Sequence, residues 1–164
     1  VSGTQHVIFH VGFAMQSLGY KLLNTVTWFK PNASPNLSCR YFTHSSEIIV
    51  WASPGGKGKL QHTFNYQAMK AANGGKQMRD VWTMLTPRNS EKELGKHPTQ
   101  KPRALLDRIV EASSNEDQVV LDPFCGSGTT GVSAVSKGRR FVGIEMDPQY
   151  LELSKRRLDA AERP

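Results

Sequence analysis

Apolar positions near the start of the chain recur at the spacing of an amphipathic helix. The recurring residues are Val7, Ile8, Val11, Ala14, Met15 and Leu18. Gly19 follows them, and a glycine at this place is typical of a helix end, so the pattern predicts a helix over residues 5–18. Residues 1–4 read as the end of a strand that leads into this helix.

Two β-rich runs follow at residues 22–29 and 47–52, and they predict a pair of sheet strands. The polar, proline-containing residues 30–46 lie between them and predict a long loop. From residue 53 to residue 96 the chain has glycine pairs, scattered lysines and isolated aromatics, but no sustained period. That texture predicts an inserted lobe or a long loop.

Regular structure returns at Pro102, which suits the first turn of a helix that runs to about Ser113. Residues 118–122 form an apolar run, a glycine-rich turn follows, and a helical pattern extends from Thr129 to Lys137. A second apolar run covers residues 140–145, and a basic helix begins at about Pro148. The order strand, turn, helix, strand predicts one βαβ unit with parallel strands, and therefore an α/β fold.

Composition and charge narrow the classes of protein that fit this pattern. The 164 residues are enough for one domain with a small additional lobe, and 38% hydrophobic with 21% charged residues is typical of a folded protein. No segment approaches the roughly 20 apolar residues that cross a bilayer, so we expect no membrane partner. Cys39 and Cys125 are the only cysteines, which favours a reduced, cytoplasmic setting and leaves no zinc-ligand spacing. The net charge of +7 favours a polyanionic partner.

The strongest chemical signal is the glycine-rich turn within residues 121–130, Leu-Asp-Pro-Phe-Cys-Gly-Ser-Gly-Thr-Thr. Gly126 and Gly128 let the backbone approach a ligand closely, and the N–H groups at the start of the next helix can donate to it. Glu145 ends the following strand, about 20 residues after the first glycine, where a carboxylate can accept both hydroxyls of a ribose. The sequence therefore predicts a nucleoside-containing cofactor.

Two cofactors fit the glycine spacing. Gly126, Gly128 and Gly131 satisfy the Gly-x-Gly-x-x-Gly pattern of dinucleotide sites, so an NAD-dependent oxidoreductase is one alternative. Asp122, ahead of the glycines, favours a cofactor with a methionine moiety. Its carboxylate would repel the pyrophosphate of a dinucleotide but can pair with the amino group of methionine. That charge pattern favours S-adenosylmethionine.

Three segments in a fixed order resemble the β-group of amino-methylating DNA methyltransferases. They are His97-Pro-Thr-Gln-Lys-Pro102, the glycine-rich turn, and Val142-Gly-Ile-Glu-Met-Asp-Pro148. The resemblance extends to Trp28-Phe-Lys-Pro-Asn32, Pro35-Asn36 and Trp51-Ala52, which look like the region after the family's catalytic motif. It implies a Rossmann-like, S-adenosylmethionine-dependent methyltransferase sheet.

By this resemblance, one group of side chains would hold the cofactor. Asp122 and the turn would line its methionine end, Glu145 its ribose and Met146 its adenine, while Thr99 and Lys101 would hold its carboxylate. The full implied set is Thr99, Lys101, Asp122, Phe124, Gly126, Ser127, Gly128, Thr129, Glu145 and Met146.

The family's catalytic tetrapeptide, Asp-Pro-Pro-Tyr or a close variant, is not found in the sequence, so no catalytic residue is assigned. In the family this motif and the strand leading to it lie N-terminal to the segments seen in this chain. Without that strand the sheet would be interrupted between the strand ending at Asp122 and the one at residues 1–4, with unpaired backbone groups. We therefore expect an incomplete sheet that an upstream segment or a second chain would fill. A homodimer is a separate candidate assembly.

The resemblance implies three regions and a DNA partner. Residues 1–52 would complete the catalytic subregion, 53–96 would be a target-recognition lobe, and 97–164 would bind the cofactor. The lobe's basic and aromatic side chains are Lys57, Lys59, Lys70, Lys76, Arg79, Arg88, Phe64, Tyr66 and Trp82. Predicted DNA contacts in the earlier loop are Lys30, Asn32, Arg40 and His44. Alternatively, Asn32 and Asn36 are turn residues that cap their own backbone.

These observations predict a site-specific methyltransferase that acts on double-stranded DNA and methylates the N6 amino group of adenine. The resemblance also implies a role in restriction and modification. Methylation of cytosine N4 and a catalytically inactive remnant that binds cofactor or DNA are the alternatives within the same family.

Overall fold

A computed structural model of the chain describes residues 1–55 and 62–162. Lys57 and Lys59, two of the predicted phosphate contacts, lie outside the described residues. The chain divides into two compact units, of which the first contains Val1–His62 and Met78–Leu85 and the second contains Thr63–Gln77 and Thr86–Pro164.

The first unit is a four-stranded sheet with one helix. Its elements are β1 (Ser2–Gly3), α1 (Gln5–Ser17), β2 (Lys21–Phe29), β3 (Ser46–Ser53) and β4 (Val81–Thr83). The strand order is β1-β3-β2-β4, with β3 antiparallel to both β1 and β2, and β4 parallel to β2. Val26, Trp28 and Ile49 are buried in this unit, and the Trp28 indole N–H donates to the Met84 carbonyl oxygen at 2.9 Å. The helix and the two long strands agree with the sequence pattern.

The second unit contains the glycine-rich turn. Its elements are α2 (Tyr66–Ala72), a 3-10 turn (Asn89–Lys92), α3 (Arg103–Ser113), β5 (Val119–Asp122), α4 (Thr129–Ser136), β6 (Arg140–Gly143) and α5 (Pro148–Glu162). β5 and β6 are parallel, in a register that runs from Val119 opposite Arg140 to Asp122 opposite Gly143. α4 packs between α3 and α5, with Leu105, Val132 and Leu153 buried. The predicted βαβ unit is therefore confirmed.

The described residues between 53 and 96 are more regular than their sequence predicts. They contain α2, β4 and the 3-10 turn. The segment is divided between the two units, because residues 78–85 belong to the first unit and residues 63–77 and 86–96 belong to the second. The start of α2 is fixed by a contact distant in sequence: the Asn65 side-chain amide donates to the carbonyl oxygens of Glu111 (2.8 Å) and Ser114 (2.9 Å) at the end of α3. The target-recognition role of the segment stays a prediction.

The described strands form two separate sheets, one of four strands and one of two. The predicted α/β fold with an incomplete sheet is thus confirmed. Val119, Leu121 and Val142 on the two-stranded sheet are exposed apolar side chains.

The part of the chain that the structure describes contains two free cysteines, and it has neither a membrane-spanning helix nor a cluster of metal ligands. Cys39 is exposed and Cys125 is buried. No helix of these residues has the length and apolar character to span a membrane. Within the same residues, no three His, Cys, Asp or Glu side chains gather as a metal ion would require.

Candidate cofactor site

The glycine-rich turn connects the end of β5 to the start of α4, and both of its first two glycines are required by their surroundings. Gly126 has φ +52° and Gly128 has φ +74°, in the left-handed region that residues with a Cβ resist. A Cβ at Gly128 would overlap the Ser154 hydroxyl on α5, and a Cβ at Gly126 would lie 3.1 Å from His97 Nε2. The turn is therefore closely covered by α5 on one side and by the His97 ring on another.

Glu145 follows β6, separated from its last residue by Ile144, and reaches back to this turn. The Gly126 N–H donates to Glu145 Oε2 at 2.8 Å, and the Asp147 N–H donates to Oε1 at 2.9 Å. The Asp147 N–H, which has the larger effect, and the Gly126 N–H hold the pKa of the Glu145 carboxyl below its usual range. The group is therefore charged at neutral pH. The structure thus brings together the acid and the glycine that the sequence singled out, at the carboxyl ends of neighbouring parallel strands.

Asp122 organises the turn from its first residue. Its Oδ1 accepts the Phe124 N–H at 3.1 Å, and its Oδ2 accepts the Thr130 hydroxyl at 2.5 Å. An ionised carboxylate can accept about four hydrogen bonds, so Asp122 keeps acceptor capacity for a ligand while it holds both ends of the turn.

The other predicted cofactor residues fall into two classes. Phe124 and Met146 are 88% and 95% exposed, so their apolar surfaces are available to a ligand. Ser127 and Thr129 are buried, and their hydroxyl oxygens lie 3.3 Å apart. The Thr129 hydroxyl also accepts a hydrogen bond from Arg157 at 3.0 Å, which means that these two residues can meet a cofactor only through their backbone.

His97 connects the segment of Thr99 and Lys101 to the turn. Its Nδ1 accepts the Thr99 N–H at 3.2 Å, and its ring packs edge-on against Tyr150 with 4.2 Å between the ring centroids. The pKa of His97 is lowered, first by burial of the ring and also by the Lys101 charge, while the Glu145 and Asp147 carboxylates act in the opposite direction. His97 is the first residue of the sequence motif, but a sequence does not show which side chain covers a glycine, so its role was not predictable.

The residues of the first unit that were predicted to contact DNA differ in their exposure. Lys30 is 15% exposed at its side chain, forms an ion pair with Glu47 at 3.1 Å and lies 5.2 Å from the Trp28 ring centroid. It contributes to the packing of this unit. Asn32, Arg40 and His44 are exposed.

The loop between β2 and β3 is held by its own hydrogen bonds. Asn36 accepts the Ser38 N–H at 3.0 Å and donates to the Tyr41 carbonyl oxygen at 2.7 Å, as the alternative reading of the asparagines expects. The same loop exposes Leu37 and Phe42 almost completely.

A sequence model of one protein family, described as DNA methylase (N6/N4), matches residues 1–156. The chain belongs to this family. Two similar curated relatives are the type II methyltransferases M2.LlaDCHI of Lactococcus lactis subsp. cremoris, 54% identical over 159 residues, and M2.DpnII of Streptococcus pneumoniae, 54% identical over 160 residues. These matches cover 97% and 98% of the chain and 59% of each relative, so the chain spans about three fifths of their length.

Among solved structures of this DNA methylase fold, the complex of M1.HpyAVI with S-adenosylmethionine is similar. It has a TM-score of 0.79 and 30% identity, and the match covers 96% of this chain and 72% of that one. The family, the fold and S-adenosylmethionine as the family's cofactor, all predicted from the sequence, are therefore confirmed. The roles of individual residues stay predictions.

Proposed function

We propose that the chain forms the S-adenosylmethionine-binding part of a DNA methyltransferase that modifies the N6 amino group of adenine. The observation that carries the proposal is the 2.8 Å hydrogen bond from the Gly126 N–H to Glu145, which sets a charged carboxylate beside a glycine turn. A ribose requires hydroxyl acceptors and an adjacent backbone that a ligand can approach closely, and this pair supplies both.

The remaining residues of the site suit the other parts of the cofactor. Asp122 would pair with the ammonium group of the methionine moiety, and the first N–H groups of α4 would donate to polar atoms of the same end. The exposed side chains of Phe124 and Met146 would cover the nucleoside. When bound, the cofactor supplies a methyl group activated by its sulfonium charge, and these residues bind and orient it.

The DNA side of the proposal rests on charge and on the loop between β2 and β3. The chain carries a net charge of +7, and this loop exposes Arg40 and His44 as well as the apolar Leu37 and Phe42. Basic side chains next to an exposed aromatic ring are suited to contact phosphates and to stack on a base. The choice of adenine rests on the resemblance of Pro35-Asn36 to adenine-methylating members. Two free cysteines fit a cytoplasmic enzyme.

The direct test is methyl transfer by the product of the complete reading frame. The protein is incubated with unmethylated duplex DNA and S-adenosylmethionine labelled in its methyl group, and the digested DNA is separated by chromatography. We expect the label in N6-methyladenine. Label in N4-methylcytosine would overturn the choice of base, and a folded protein that labels no DNA would support the inactive remnant.

Glu145→Gln tests the residue that carries the proposal. Removing the charge weakens hydrogen bonds of about 1.5–3 kcal/mol each, so the KM for S-adenosylmethionine should rise about 10- to 100-fold. Glu152→Gln is the matched control, because Glu152 is an exposed glutamate on α5. An unchanged KM for S-adenosylmethionine in the Glu145 variant would contradict the site.

A further inference from the structure

Arg157 is a buried arginine in a basic run whose other members are exposed. It lies on α5 after Lys155 and Arg156, which both face solvent, yet only 8% of Arg157 is exposed. An arginine is almost never this deeply buried unless its donors are paired. Its position therefore requires a specific set of acceptors.

The acceptors belong to the glycine-rich turn. Arg157 Nη1 donates to the Ser127 carbonyl oxygen at 2.6 Å and to the Thr129 hydroxyl at 3.0 Å. The N–H of Gly128, the other polar group of the Ser127–Gly128 peptide, donates to the Cys125 carbonyl oxygen at 2.8 Å. Both ends of this peptide group are thus fixed, and Arg157 fixes one of them.

The peptide needs such a restraint because of its neighbours. Ser127 lies between Gly126 and Gly128, which both have positive φ and few steric restrictions on rotation. Rotation of the Ser127–Gly128 peptide would reverse its dipole within the turn. A charged donor on the carbonyl oxygen opposes this rotation, and a charge-assisted hydrogen bond is about twice as strong as a neutral one.

The charge of Arg157 is balanced from the 3-10 turn. Burial lowers the pKa of the guanidinium, and the Glu91 carboxylate acts in the opposite direction. Glu91 itself accepts the Arg103 N–H at 2.7 Å and the Arg88 N–H at 3.2 Å, so its position is set by backbone groups. The nearby Arg103 charge also lowers this pKa, and the contacts that hold the guanidinium in place are its two hydrogen bonds to the turn.

We propose that Arg157 is a positioning residue for the cofactor, which keeps the Ser127–Gly128 peptide in the orientation that S-adenosylmethionine requires. Both hydrogen bonds described above go from Arg157 to the turn, so Arg157 acts on the cofactor through the turn. The inference rests on the proposed function, since it assigns a task to the same site.

The test compares Arg157→Lys and Arg157→Met with Arg156→Met in the product of the complete reading frame. Lysine keeps the charge, but its shorter side chain cannot reproduce the two bonds of Nη1. We expect the KM and the calorimetric Kd for S-adenosylmethionine to rise about tenfold in the lysine variant and up to about a hundredfold in the methionine variant. The kcat at saturating cofactor and the KM for DNA should stay unchanged, and Arg156→Met should behave as the native protein.

Other outcomes separate the two proposals. If the folded native protein binds no S-adenosylmethionine, the proposed function fails. If the native protein binds and a folded Arg157→Met variant binds equally well, the role of Arg157 is refuted. A lower melting temperature and kcat with an unchanged KM would also refute it, because that is the result of a structural role alone.

A second variant tests the same contact if Arg157→Met does not fold. Thr129→Val removes the hydroxyl acceptor at nearly constant volume and leaves the arginine in place. We expect a weaker Kd for S-adenosylmethionine and faster amide hydrogen exchange at residues 126–128. Native affinity together with faster exchange at residues 126–128 would refute the proposal, because the peptide would then be mobile without any loss of cofactor binding.

Discussion

Gly128 and Gly138 form a matched pair that tests how closely α5 covers the turn. Their φ angles are +74° and +73°, so alanine meets the same backbone strain at both positions, about 1–2 kcal/mol. The loss of unfolded-state entropy that alanine brings is also equal. The two sites differ in the space for a Cβ, because the nearest atom at Gly138 is Glu116 Cγ at 3.6 Å, an ordinary contact.

At Gly128 the new Cβ would overlap the Ser154 hydroxyl and lie 3.0 Å from Ser154 Cβ and 3.1 Å from Ser154 Cα. The hydroxyl can rotate away, but the backbone of α5 cannot. Overpacking of this kind costs about 1–3 kcal/mol in addition to the strain. We therefore expect Gly138→Ala to destabilise the fold by about 1–2 kcal/mol and Gly128→Ala by about 2–5 kcal/mol.

The assay is thermal and urea unfolding of both variants beside the native protein. The excess of about 1–3 kcal/mol should appear as a melting temperature lower by about 2–12 °C in Gly128→Ala than in Gly138→Ala. In a Ser154→Gly background, which removes the hydroxyl and the Cβ, this excess should shrink. Equal destabilisation of the two alanine variants would refute the packing of α5 on the turn.

Three further outcomes follow from the structure. Because its pKa is lowered, the Glu145 carboxylate stabilises the fold above its ordinary pKa of 4.5, and this stability is lost as the pH falls through the folded pKa. The free energy of unfolding should therefore fall more steeply below pH 4.5 in the native protein than in Glu145→Gln. Equal slopes in the two proteins would contradict the contact. Asn65→Ala removes two hydrogen bonds to the end of α3 and should cost about 1–3 kcal/mol in urea unfolding, whereas a neutral result would mean that α2 is held in another way. Phe42→Ala should raise the KM for DNA about tenfold, a loss of one stacking contact, without changing the KM for cofactor; a native KM for DNA would exclude Phe42 from the interface.

The sequence predicted the βαβ unit because its signals are local. An apolar run, two glycines with positive φ and a following helix are all encoded within residues 118–145, and the parallel pairing of β5 with β6 follows from that order. The meeting of Gly126 and Glu145 could be inferred for the same reason, since the carboxyl ends of adjacent parallel strands share one edge of the sheet.

Features that depend on distant contacts were not predictable in this way. α2 has only seven residues, too few for a clear period, and its start depends on Asn65 bonding to the end of α3. β4 has three residues and is defined by its pairing with β2.

Arg157 and Lys30 show the same limit for single side chains. Arg157 lies in a basic run that is typical of a solvated helix face, and only the packing of α5 shows that its side chain reaches the turn. The position of Lys30 in the sequence does not show that Glu47 on the neighbouring strand pairs with it, and its predicted DNA contact stays a prediction.

The most direct measurement is the distance between Glu145 and the ribose in a crystal structure of the protein with S-adenosylmethionine. We expect both ribose hydroxyls to donate to the Glu145 carboxylate at about 2.5–3.0 Å, with the methionine end of the cofactor at residues 122–128. A cofactor bound with its ribose more than about 4 Å from that carboxylate would contradict the account, because the acid and the glycine turn would then not form one site.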